Sequence, residues 1–285
     1  MSLIKISGKN LAQLNDPNCC HRCFQTLTGT SHRRPFSIFP GIFSTFDAMQ
    51  KKHIREYLDR HGNLPAWMKL FADGTKPADT PHTLQYHDKE TDILLVGIPD
   101  EVLVRNDKSL MLLDYKTARH TDKQDALLPL YQAQVNAYAW MLGKCDLGDV
   151  TLAGLVYFEP TGIRAGTADE CFSMGWKMTE VPVDLDPKLT PKLLNLCRTI
   201  SDMTEPAEQK EGCWDCGVLE SMLAIYQSKF ALKDAYLRYM TPQERVINFA
   251  QARRDYFRAI DALKRPSPVG ALPSRPSLIS EWDRA

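Results

Sequence analysis

A short apolar strand that ends in two charges on one side constrains this chain more than any other feature. The run LMLL at residues 110–113 is followed by Asp114-Tyr115-Lys116. Alternate residues of a strand share a face, so Asp114 and Lys116 point the same way. Charge at the end of a buried strand is costly unless it has a partner. The preceding segment, VGIPDEVLVRNDKS, supplies one. Residues 92–96, 101–105 and 110–115 are short, apolar and rich in β-formers, and Asn106-Asp107-Lys108-Ser109 carries turn chemistry between the last two. Pro99-Asp100 therefore falls on a neighbouring strand, and two carboxylates and a lysine are expected side by side.

Metal-dependent phosphodiester cleavage needs such a set. Asp100 and Asp114 suit a hard divalent cation, which polarises a phosphate and lowers the pKa of a bound water. Lys116 suits the developing negative charge or the attacking water. Taken alone, D-x-K also reads as an ordinary Asp114–Lys116 salt bridge. The surroundings carry the argument further. A polar loop after Thr117 leads into a helix over residues 125–142, on which Gln134, Tyr138 and Leu142 recur every fourth residue and share a face. An apolar strand over residues 152–158 follows.

GIPD at 97–100, DYKT at 114–117 and Q-x3-Y-x3-L at 134–142 together resemble the PD-(D/E)xK nuclease superfamily. The resemblance is to its RecB-like branch, which includes the CRISPR-associated iron–sulfur adaptation nucleases. It covers residues 92–160 well and extends more loosely toward both ends. It implies an α/β fold with a restriction-endonuclease-like core, a mixed central sheet flanked by helices, and helical appendages. It also implies an Mg²⁺- or Mn²⁺-dependent deoxyribonuclease, exonuclease-like, acting on DNA that is single-stranded or has free ends. Asp100 and Asp114 would bind the cation, with the Tyr115 carbonyl a further ligand, and Gln134 and Tyr138 would orient the lysine, phosphate or strand. Relatives place an additional ligand on a preceding helix. Residues 43–60 have an amphipathic helical pattern there, and on it Asp47 is favoured over His53.

Cysteines form the second signal. Of the eight, Cys20 and Cys23 make one C-x-x-C pair and Cys213 and Cys216 another. Without an apolar signal segment at the N-terminus, such pairs favour metal over disulfide, and four thiolates suffice for zinc or a [4Fe–4S] cluster. RecB-like relatives clamp an iron–sulfur cluster with one cysteine before the core and three after it. Here the split is two and two, a departure that leaves the metal open: iron–sulfur is the first expectation by the resemblance, and zinc the alternative on spacing alone. Cys145, Cys171 and Cys197 read as small buried hydrophobes.

At 285 residues and 44% hydrophobic content the chain can bury a full core. No apolar run reaches membrane-spanning length, and a cytoplasmic protein is expected. Thirty-five basic residues balance thirty-five acidic ones. DNA contact must then come from a local patch, for which Arg33, Arg34, Lys51, Lys52 and Arg55 are the candidates and Arg253, Arg254 and Arg258 the reserve. Residues 64–87 read as a Pro- and Gly-broken connection, 171–182 as added strands, and 187–202 as a helix. The expected organisation is a nuclease domain over 1–217, a helical extension over 218–264 and a Pro-rich tail over 265–285. Two other classes fit fewer of these features: a catalytically silent nucleic-acid-binding scaffold and a structural zinc protein.

Overall fold

A computed structural model describes residues 3–29, 40–121, 126–165 and 172–226. Arg33, Arg34, Cys171, Arg253, Arg254, Arg258 and the Pro-rich tail lie outside the described residues. The chain divides after Ala207. In chain order the first unit holds β1 (Ile4–Ser7), α1 (Gly8–Leu11), α2 (His21–Gly29), α3 (Gly41–His61), β2 (Gly74–Pro77), β3 (Leu84–Asp88), β4 (Ile93–Gly97), β5 (Glu101–Arg105), β6 (Leu110–Lys116), α4 (Leu128–Lys144), β7 (Val150–Ala165), β8 (Phe172–Pro182) and α5 (Leu189–Ser201).

The strands form two sheets. One has the order β1-β4-β3, and the other has the order β2-β5-β6-β7-β8. β1 runs parallel to β4, and β6 parallel to β7; the remaining neighbours are antiparallel. The α/β core with mixed sheets and flanking helices is thus as the motifs imply. β6 is central in the larger sheet and buried on both faces. Its alternation sends Leu110 and Leu112 into one apolar cluster and Met111, Leu113 and Tyr115 into another. Asp114 and Lys116 share the parity of the first cluster, the one that contains α4.

The helices hold this strand end from different elements. α3 stops at Gly62, whose φ of 67° is the left-handed cap conformation, with its N–H bonded to Leu58 O. Its buried residues are Gln50, Ile54 and Leu58, one per turn. Phe43 and Met49, apolar residues of the same helix, are exposed. α4 approaches β4 closely because residue 97 is glycine. A Cβ there would lie 2.5 Å from Tyr138 Cε1 and 2.7 Å from Met141 Cε. This contact seats Tyr138, and with it Gln134 one turn earlier, over the end of β6.

Three strands differ from the sequence expectation. The 64–87 stretch, read as a connection, contains β2 and β3. β2 is an edge strand carrying Gly74 and Pro77, composition that reads as loop. β1 pairs in parallel with β4 through Ile4↔Ile93, a partner too distant in sequence to leave a local signature. The expected helix at 187–202 begins at Leu189; Asp186 instead closes the turn before it, accepting from Lys188 N at 2.8 Å.

In the second unit the described part is residues 208–226. Gly212, with φ of 69°, precedes α6 (Trp214–Tyr226). The expected helical extension is helical through residue 226, and its remainder lies outside the described residues. Among the described residues no helix is long and apolar enough to cross a membrane.

Candidate active site

Asp100 sits in the three-residue link between β4 and β5, where the chain leaves the smaller sheet for the larger. Its Oδ2 accepts the Tyr115 backbone N–H at 2.9 Å, which ties the link to the end of β6. Its Oδ1 lies 2.7 Å from Lys51 Nζ on α3. The same ammonium lies 2.6 Å from Asp47 Oδ2, one turn earlier on that helix. Two carboxylates from separate elements therefore converge on a single cationic nitrogen.

Asp114 is 1% exposed. Its Oδ2 lies 2.6 Å from Lys116 Nζ, and its Oδ1 accepts from Gln134 Nε2 at 2.9 Å. Gln134 Oε1 accepts in turn from Lys116 Nζ at 3.3 Å, and Nε2 also donates to Tyr138 OH at 3.2 Å. The Lys116 ammonium stands 4.1 Å from the centre of the Tyr131 ring, a cation–π position. The fourfold spacing of Tyr138 and Gln134 on α4 is what lets one amide serve both charges of β6.

Burial pushes the Asp114 carboxyl up to about 6; Lys116 opposes this, and the nearby Asp100 adds to it. The Lys51 ammonium is disfavoured by burial, but Asp100 and Asp47 outweigh that and hold its pKa above the usual value. Burial likewise raises Glu101, against the pull of Arg55, with which it pairs. The Tyr138 phenol is raised by burial and by Asp114. The site as a whole holds three carboxylates against two ammonium groups and so retains an anionic excess.

This donor set suits a hard divalent cation. All its donors are carboxylate oxygens, two already converge on one positive charge, and the third is buried at the adjoining strand end. Among the described residues, each sequence-derived residue has a definite place. Asp100, Asp114, Lys116, Gln134, Tyr138 and Asp47 lie in the interactions just described. His53 is exposed. The Tyr115 side chain lies in the second cluster, and its backbone N–H holds Asp100. Lys51 and Arg55 are engaged with Asp100 and Glu101, whereas Lys52 is exposed beside Glu56 at 3.7 Å. Sequence reasoning missed Gln50, whose Oε1 accepts from Thr117 Oγ1 at 2.9 Å directly after Lys116. It also missed Glu101, one residue beyond the P-D dipeptide. Its burial could have been inferred from its place at the start of an apolar strand.

Cys20 and Cys23 stand at the start of α2 in the first unit, and Cys213 and Cys216 at the start of α6 in the second, each pair with the C-x-x-C spacing of metal ligands. α2, which carries Cys23, is tied to the chain just before the division. Arg22 Nε donates to Ala207 O at 3.1 Å, and Gln25 Oε1 accepts from Ala207 N at 2.7 Å. Cys19 is half-buried against the first cluster, and Cys197 is buried there. Cys145, expected to be buried, is half-buried just past α4, with its Sγ 3.6 Å from Gln85 O.

Residues 30–221 match the family model of the PD-(D/E)XK nuclease superfamily. No curated protein matches the chain. Among solved structures, that of SSO0001 is similar at 13% identity with a TM-score of 0.38, covering 71% of this chain and 78% of that one. The family match spans well over half of the sequence and takes in α3, the β4–β5 link that carries Asp100, β6 and α4. The chain belongs to the PD-(D/E)XK nuclease superfamily.

Proposed function

We propose that this protein is a divalent-cation-dependent deoxyribonuclease of the RecB-like type, exonuclease-like, acting on DNA that is single-stranded or has free ends. The observation that carries the reading is the convergence of Asp47 and Asp100 on one positive charge beside the Asp114–Lys116–Gln134 group. Asp47, Asp100 and Asp114, with the Tyr115 carbonyl, are assigned to Mg²⁺ or Mn²⁺. A cation held there would supply polarisation of the scissile phosphate and acidification of a water. Lys116, held by Asp114 and Gln134 and backed by Tyr131, orients that water or offsets charge building on the phosphate. Gln134 fixes the lysine, and Tyr138 fixes Gln134. Cys20, Cys23, Cys213 and Cys216 are assigned to a [4Fe–4S] cluster, with Zn²⁺ as the alternative. With zero formal net charge, DNA contact rests on local cations. Of the expected group, Lys52 and Arg55 are exposed among the described residues, and only Arg55 of these two is committed to a buried carboxylate; Arg33 and Arg34 lie outside the described residues.

End-labelled single- and double-stranded DNA incubated in Mg²⁺, Mn²⁺ or EDTA tests the reading. Cleavage is expected with either cation, is abolished by EDTA, and is lost in Asp100→Asn and Asp114→Asn, each of which removes a charged oxygen ligand. Cation-independent cleavage, or full activity in both variants, overturns the assigned site. DNA binding without any cleavage turns the reading to a silent member of the superfamily.

A further inference from the structure

Lys51 is placed unlike the other cations of its helix. Its ammonium touches two carboxylates from different elements, Asp47 on α3 at 2.6 Å and Asp100 in the β4–β5 link at 2.7 Å. Its side chain is 32% exposed and that of Asp100 only 17%. The adjacent Lys52 is 75% exposed and merely leans toward Glu56. Side chains on a helix slant toward its N-terminus, which carries the Lys51 ammonium back over Asp47 and onto Asp100. The nitrogen thus occupies the point on which the two oxygens aim, and a cation binding both oxygens must take that point.

We propose that Lys51 is the built-in counter-ion of the metal site, which neutralises Asp47 and Asp100 in the metal-free protein and gives up both when a divalent cation binds. The inference rests on the proposed metal-dependent reading and adds a residue to it. In the metal-free protein Lys51 holds α3 to the link that carries Asp100, so the ligands stay in register without an ion. Binding of the ion breaks both ion pairs and brings a double positive charge up to the lysine. Lys51 therefore weakens metal affinity while it preserves the shape of the site. An ordinary half-exposed salt bridge contributes little to stability and has no such effect on metal binding.

The test is titration of the full chain with Mn²⁺ alone, without DNA, followed by calorimetry, with the Asp100→Asn-sensitive heat taken as the signal of this site. Lys51→Met is expected to bind Mn²⁺ at least about tenfold more tightly than wild type, equivalent to about 1.4 kcal/mol. Lys51→Arg retains the charge and should stay close to wild type, and Lys52→Met serves as the exposed control. In EDTA, Lys51→Met should melt below wild type, and Mn²⁺ should raise its melting temperature by more. Lys51→Gln provides the same comparison should the methionine variant fold poorly. Unchanged or weaker Mn²⁺ binding in both neutral variants overturns the inference and leaves the metal site standing. Absence of any Asp100-dependent heat in wild type overturns both.

Discussion

Gln134 is a single neutral amide that serves both charges at the end of β6. Its oxygen faces the Lys116 ammonium at 3.3 Å, and its nitrogen faces Asp114 at 2.9 Å and Tyr138 OH at 3.2 Å. This fixes which way the amide points, since the reverse orientation would set its oxygen against a carboxylate. Gln134→Ala leaves Asp114 Oδ1 buried without its amide donor. The expected cost is about 1–3 kcal/mol, read from the urea midpoint, because an orphaned buried group loses its solvation without replacement. Cleavage should slow with it, as Lys116 loses its brace. Lys116→Ala should behave differently. It removes the group assigned to the transition state and leaves the carboxylates in place. Turnover should then fall by roughly 10²–10³-fold, the usual worth of one such group, while Mn²⁺ affinity is retained. Wild-type turnover in Lys116→Ala would exclude the role given to this lysine.

At the scale of elements, α3 presents two parallel stripes. Gln50, Ile54 and Leu58 face the core, and Asp47, Lys51 and Arg55 run beside them, again one per turn. The second stripe meets the carboxylates of the β4–β5 corner in order, Lys51 at Asp100 and Arg55 at Glu101. Glu101 has only 2% of its side chain exposed, so it depends on Arg55. Removing one member of a fully buried pair costs about 3–5 kcal/mol. Arg55 is 44% exposed, and water can reach the vacated side. For Arg55→Ala about 1–2 kcal/mol is therefore the reasonable expectation. Arg55→Ala with Glu101→Gln should recover part of it in a double-mutant cycle, because the second change removes the stranded charge. The same helix shows where sequence reading stopped. Lys51, Lys52 and Arg55 read as a patch for phosphates because i+4 spacing is visible in a sequence. The carboxylates that engage two of them lie some fifty residues downstream and are not. β6, α4 and the grouping of Asp100, Asp114, Lys116 and Gln134 were legible because parity and fourfold spacing are local and each element is buried along one pattern. β1, β2 and β3 were not, being short, partly polar and dependent on distant pairing partners.

For the whole molecule, the controlling fact is the distance along the chain between the cysteine pairs. Cys20 and Cys23 precede almost the entire core, and Cys213 and Cys216 follow it in the second unit. A metal held by all four closes a loop of well over one hundred residues. A covalent cross-link of that length would withdraw roughly 5 kcal/mol of entropy from the unfolded chain. A metal bound only in the folded state adds its own binding free energy to folding. Cys20→Ser and Cys216→Ser should therefore lower the melting temperature and reduce the bound metal together, whereas Cys145→Ser, half-buried and outside the set, should leave both unchanged. Protein purified without oxygen should be brown if the group is iron–sulfur and colourless if it is zinc, and elemental analysis fixes the count. The effect on cleavage separates the cysteine metal from the carboxylate site. EDTA added briefly should stop catalysis reversibly by stripping a carboxylate-held cation. Loss of the thiolate-held metal should instead unfold the chain, and adding Mg²⁺ or Mn²⁺ back should not restore it. Equal stability and metal content in Cys20→Ser and wild type would remove the cysteine set from the architecture and leave the core to hold itself together.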